Sequence, residues 1–181
     1  MIPDWMTSAP RPFDTVLVAN RGEIAVRVLR AAKESGLRGV AVYSDPDTGS
    51  LHVENADQAV HLPGTTLADT YLNGDAIIEA ARSTGAQAIH PGFGFLSERA
   101  DFANAVKAAG LIWIGPPADA IDTMGDKISA RRCMIESGVP VIPGEEISMG
   151  GDSDHLGVLA AAAARVGYPL LLKASAGGGG K

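Results

Sequence analysis

Cysteine is almost absent from this chain: Cys133 stands alone among 181 residues. One thiol excludes an internal disulfide framework. Cys133 sits in a helical pattern beside Met134 and Ile135, with no neighbouring feature that would activate it, so a buried structural thiol is expected. A basic tract is missing too. The formal net charge is −6, with both signs mixed along the chain, which argues against nucleic acid or an anionic membrane as a partner. No apolar run approaches the ~18 residues of a membrane span. Residues 1–12 hold Asp4 and three prolines but no apolar stretch, so they read as a flexible extension rather than a leader or anchor. The expected compartment is the cytoplasm.

Two nucleotide fingerprints are also lacking. A dinucleotide turn needs three spaced glycines after the first strand, but Val18-Ala19-Asn20-Arg21-Gly22-Glu23 offers only Gly22. The acidic Asp45 after the second strand does not compensate for them. A Walker loop is excluded because Ser175 stands where its first glycine belongs.

What is present is ordinary for a folded domain: 46% hydrophobic and 20% charged residues. Short apolar runs alternate with helical patterns. Strands are predicted at 15–19, 39–43, 59–62, 86–90 and 111–114, with helices at 22–35, 71–84 and 98–109. This β-α repetition predicts an α/β fold with a mostly parallel, Rossmann-like sheet flanked by helices on both faces. Strand order is not fixed by the pattern. After Gly115-Pro116-Pro117 the character changes, and a boundary is placed near 115–125. Helices are expected at 118–123 and 126–137, then an extended stretch over 139–144. A helix over 155–166, capped by Ser153 or Asp154, leads into a strand at 170–174.

Five places carry chemistry. Glu23, Arg27, Arg30 and Glu34 fall on one stripe of the first helix; that stripe is either a solvated face or, through Arg30 and Glu34, a self-complementary surface across a two-fold axis. His90-Pro91-Gly92-Phe93-Gly94-Phe95-Leu96-Ser97-Glu98 joins a strand to a helix, with Ser97 read as the N-cap and the glycines permitting an unusual backbone course. Lys127 follows a capping Asp126, where the helix dipole opposes a cation and a bound phosphate would relieve the conflict. Lys173 lies in an otherwise apolar strand, a costly place for an ammonium group unless it meets an anion. Gly177-Gly178-Gly179-Gly180 then frees the backbone to close over phosphate oxygens, beside Lys181. The chain is expected to be cut midway through that loop, a flexible tail being the plainer reading.

Together, Ala19–Ala25, His90–Glu98, Met124–Lys127 and Lys173–Lys181 resemble the biotin carboxylase family, in order and spacing from Phe13 to Lys181. Among its members, the chain looks most like the biotin-carboxylating subunit of a bacterial acetyl- or propionyl-CoA carboxylase. Pyruvate and urea carboxylases share the block. The resemblance implies an ATP-grasp ligase that activates bicarbonate with ATP as carboxyphosphate and passes CO2 to N1′ of biotin on a carrier domain. Residues 13–125 would be the pre-ATP-grasp domain, 126–141 a helical connector, and 142–181 the incomplete start of the ATP-grasp lid.

By the same match, Lys127, Lys173 and Gly177–Gly180 would contact ATP. His90, Gly92, Phe93, Gly94 and Glu98 would face biotin and bicarbonate, and Arg30 and Glu34 would support a homodimer. A carrier domain and a carboxyltransferase subunit are the implied partners. The catalytic residues and Mg2+ ligands would lie beyond Lys181, so this stretch alone is expected to be inactive. Phe93 stands where the family often has tyrosine, so packing remains there and a hydroxyl contact does not. The alternatives are another ATP-grasp ligase, disfavoured by the His90–Glu98 segment, and a non-catalytic nucleotide-binding or dimerisation module.

Overall fold

The computed structural model of the chain describes residues 11–147 and 155–172. They fall into two compact units that divide between Asp122 and Thr123.

The first unit is organised by five strands: β1 (Thr15–Val18), β2 (Arg38–Tyr43), β3 (Gln58–His61), β4 (Ala88–His90) and β5 (Ile112–Trp113). All four pairings are parallel, in the spatial order β3-β2-β1-β4-β5. β1 is central, with Leu17 opposite Val40 on one side and Ile89 on the other. Parallel strands need crossovers, and helices supply them. They are α1 (Gly22–Glu34), the short α2 (Leu51–Glu54), α3 (Gly74–Thr84) and α4 (Ala100–Ala108), with α5 (Ala118–Gly125) after the last strand.

Alternation along the strands sends side chains to opposite faces. Leu17, Val40, Val42 and Ile89 pack with Ile77, Phe102 and Val106, so α3 and α4 cover that face. Val18 and Ala41 pack with Ala25 and Leu29 of α1 on the other. At Gly39 a Cβ would come within 2.7 Å of Leu29 Cδ2, so glycine lets α1 lie close on β2. The expected α/β architecture with helices on both faces is therefore present.

Two boundaries differ from expectation. The helix predicted from Tyr71 begins at Gly74, because Asn73 caps it by accepting from Ala76 N at 3.0 Å. Tyr71 lies ahead of that helix and is buried. The helix predicted from Glu98 begins at Ala100, and Ser97 is not its N-cap. Residues Phe95–Glu98 instead form a 3-10 turn, with Ser97 N donating to Gly94 O at 3.0 Å. Gly94 and Phe95 both have positive φ, 69° and 51°. That reversal forces a tight turn before the helix can start.

The second unit contains α6 (Lys127–Glu136) and α7 (His155–Val166). Asp126 caps α6 as predicted, accepting from Ser129 N at 2.8 Å. The stretch 139–147 is irregular and is tied to the helices by Arg131 Nη2 to Ile142 O (3.2 Å) and by Arg165 to Glu145 (2.6 Å). Leu170–Leu172 is not a strand, and the rest of the strand predicted there lies outside the described residues. Cys133 is partly exposed rather than buried, and no residue of α6 is buried.

Candidate functional site

In an open parallel sheet, ligands collect beyond the carboxyl ends of the strands where strand order reverses. Here the chain runs from β1 outward through β2 and β3, then returns to β4 on the far side of β1. The switch point thus lies between β1 and β4. The two segments leaving it are Asn20-Arg21-Gly22 and His90–Glu98.

The β1–β4 ladder continues one step past β1, with Ala19 N donating to His90 O at 2.9 Å. There the backbones part, and the Asn20 side chain takes over. Its Nδ2 donates to Pro91 O (2.8 Å) and Phe93 O (3.0 Å), while its Oδ1 accepts from Arg21 N (2.9 Å). Asn20 is 2% exposed, and these bonds use both amide hydrogens. Gly92 passes directly over it at φ 73°, where a Cβ would stand 2.7 Å from Asn20 Nδ2. Only glycine meets both demands.

The Gly92 N–H donates to His90 Nδ1 at 2.9 Å, so the neutral ring carries its proton on Nε2. Burial pushes the His90 pKa down, and the nearby Arg27 charge adds to that. Both side chains line a cavity of ≈ 260 Å³ with Val16, Val28, Leu37 and Ile114. His90 is held neutral and oriented. Phe93, at the loop tip, is 79% exposed. Glu98 closes the 3-10 turn and is also exposed.

A second polar cluster sits beyond β2. Asp47 is 5% exposed. Its Oδ2 accepts from Tyr71 OH (2.7 Å) and Ser44 Oγ (2.9 Å), and its Oδ1 from Arg21 Nη2 (2.7 Å). Burial raises the Asp47 pKa, but the bonds from Tyr71 and Ser44 and the Arg21 charge outweigh it, leaving the carboxyl below its usual range. The Tyr71 hydroxyl is pushed up to about 12 by burial and by its bond to Asp47. The Tyr71 ring stacks on Phe95 at 5.8 Å, so this cluster reaches the glycine loop from the other side. Beside it, buried His52 sets Nε2 against Val42 O at 3.2 Å, and burial lowers its pKa.

The site residues read from the sequence are distributed as follows. His90, Gly92, Phe93, Gly94 and Glu98 share the switch-point loop. Arg30 and Glu34 are exposed on α1. Lys127 opens α6 behind the Asp126 cap and is exposed. Lys173 and Gly177–Gly180 lie outside the described residues. Asp45, the acidic residue after β2, pairs with His61 and accepts from Gly64 N at 3.3 Å, so it braces a turn. No three histidines, cysteines, aspartates or glutamates cluster to hold a metal among the described residues. No described helix is long and apolar enough to cross a membrane.

Asn20, Asp47 and Tyr71 are site residues with no individual signal in the sequence. Asn20 lies inside the Ala19–Ala25 block, and Tyr71 inside a predicted helix.

Comparison with known proteins fits this geometry. Residues 12–121 match the model of the biotin carboxylase N-terminal domain, and residues 126–181 match the carbamoyl-phosphate synthase L chain ATP-binding domain. The mitochondrial methylcrotonoyl-CoA carboxylase subunit alpha of Oryza sativa subsp. japonica is 54% identical over 168 residues, 93% of this chain and 22% of the relative. A biotin carboxylase of Halalkalibacterium halodurans is 48% identical over 93% of this chain and 36% of its own length. Among solved structures, the biotin carboxylase domain dimer of Hydrogenobacter thermophilus 2-oxoglutarate carboxylase, in complex with MgADP, ADP and bicarbonate, superposes with a TM-score of 0.82. It is 45% identical and covers 95% of this chain and 37% of the other. The chain thus spans between about a fifth and two fifths of the length of these relatives. A switch-point loop held between β1 and β4, and a family match over residues 12–121, place this chain in the biotin carboxylase N-terminal domain family.

Proposed function

We propose that this chain forms the amino-terminal part of a biotin carboxylase, which uses ATP and bicarbonate to carboxylate biotin borne on a carrier domain. The observation that carries this reading is the His90–Glu98 loop. It stands at the sheet's switch point, is pinned by Asn20, and presents an exposed Phe93 between two glycines of positive φ. In this reading the loop faces biotin and bicarbonate through His90, Gly92, Phe93, Gly94 and Glu98. Neutral His90 serves as a fixed Nε2–H donor rather than a second cation beside Arg27.

Lys127, Lys173 and Gly177–Gly180 contact the nucleotide phosphates, and the Mg2+ ligands come from residues beyond this chain. Arg30 and Glu34, exposed on α1, belong to a homodimer contact. A separate carboxyltransferase selects the acyl acceptor, and relatives named for methylcrotonoyl-CoA and propionyl-CoA carboxylation both share this block, at 54% and 46% identity.

The test is ADP release by the full-length protein with ATP, bicarbonate and free biotin. Biotin-dependent ADP release is expected, and release indifferent to biotin would overturn the proposal. The 181 residues alone are expected to give none, since catalysis needs the reacting groups held in one geometry.

A further inference from the structure

We infer that Asn20 is a positioning residue, which sets the course of the His90–Glu98 loop without itself touching substrate. The inference rests on the proposed function, because it assigns Asn20 a task in the carboxylation that the loop serves. Three observations converge on it. First, Asn20 sits where backbone pairing between β1 and β4 ends, one residue after the Ala19–His90 bond. Its amide extends the ladder by side-chain bonds to Pro91 O and Phe93 O, two carbonyls that flank Gly92.

Second, the amide has one orientation. Arg21 N–H donates to Oδ1, so a flipped amide would set its NH2 against that donor and its oxygen against two carbonyls. Third, the fit is steric as well as polar. Gly92 has no Cβ because Asn20 occupies that space, with Nδ2, Cβ and Cγ all within 2.9 Å of where it would be.

The carbonyl of Phe93 is fixed while its ring is exposed. Asn20 therefore governs where the ring points, at a distance from the ring itself. The same bonds hold Gly92, whose N–H sets the tautomer of His90. Losing Asn20 frees both ends of this arrangement while leaving the sheet pairing of Val16, Leu17 and Val18 intact. A misplacement of about 1 Å at a reacting centre costs on the order of 100-fold in rate.

The experiment compares full-length native protein with Asn20→Ala and Asn20→Ser. Biotin kinetics, ATP kinetics and amide hydrogen exchange over residues 90–98 are read in each. Expected are faster exchange in that segment alone, a fall in kcat/KM for free biotin of on the order of 10- to 100-fold, and a KM for ATP within about twofold of native. Asn20→Ser, which keeps one donor, should fall between the two. Should Asn20→Ala not fold, Asn20→Ser against native carries the comparison.

Unchanged exchange at 90–98 overturns the inference, as does an equal loss for biotin and ATP, which would mark a merely structural role. If native protein shows no biotin-dependent turnover, the proposed function fails and the task assigned to Asn20 fails with it. The exchange result still tells whether Asn20 holds the loop, so the two failures are distinguishable.

Discussion

The two units of this chain treat their apolar side chains in opposite ways. In the sheet unit, Leu17, Val18, Val40, Val42 and Ile89 are wholly buried between helix layers. In the unit after Asp122, Ala162 alone is buried among the described residues, while Ile142 is 87% exposed and Leu156, Tyr168 and Leu171 are nearly as open. Polar groups follow the same division. Asn20, Asp47 and Ser44 are buried and hydrogen-bonded in the first unit. The ion pairs of the second, Arg132–Glu146 and Arg165–Glu145, are on the surface. A site built in the first unit is therefore held in shape by packing. Exposed pairs with little core beneath them give weak positional control.

Substitutions sharpen this contrast. The largest effect belongs to Leu17→Ala, which opens a cavity at the sheet centre and should cost about 2–5 kcal/mol in urea unfolding. Leu171→Ala, its counterpart in the second unit, should stay within about 0.5 kcal/mol. Equal costs would erase the distinction between the units. Asp47→Ala comes next, since it leaves the buried Tyr71 and Ser44 hydroxyls without their acceptor; about 2–3 kcal/mol is expected.

Acid should act in two stages. The depressed pKa values of His52 and His90 mean that the unfolded chain binds protons the folded one refuses. Stability thus falls once the pH drops below about 6.5. Asp47 has a lowered pKa, so its contribution is complete above about pH 4 and is lost as pH falls through its folded value. Chemical denaturation from pH 7 to 3 checks both stages. The first should shrink, without vanishing, in His52→Gln, and a flat profile there in the native protein would contradict the buried imidazoles.

Asn73→Ala removes the α3 cap and should cost about 1 kcal/mol. Arg165→Ala, at the small end, should leave unfolding of the sheet unit unchanged.

Much of the fold was legible. The apolar runs at 15–19, 39–43 and 86–90 could bury both faces only in a parallel sheet, and the small-residue breaks marked where helices end. The order of strands was not legible, because parallel pairing leaves no local signal and is decided by which helix covers which face. Helix starts at Tyr71 and Glu98 were misplaced for a related reason. Tyr71 has a helical spacing but is held by the distant Asp47, and Ser97 has a capping side chain but falls inside a turn imposed by Gly94 and Phe95.

In the site, the glycines and aromatics of the loop were readable as composition. The partner that pins them was not, since Asn20 lies 71 residues from Pro91 in sequence. Asp47 was equally hidden, since an Asp-Pro-Asp turn is an ordinary surface feature until a tyrosine 24 residues away closes over it.

Phe93 offers the most direct test of the site. Because its side chain is exposed, Phe93→Ala should leave the unfolding transition unaltered. In the full-length protein it should lower kcat/KM for free biotin by on the order of tenfold, with the KM for ATP unchanged. Native biotin kinetics in Phe93→Ala would contradict the placement of biotin at the switch-point loop.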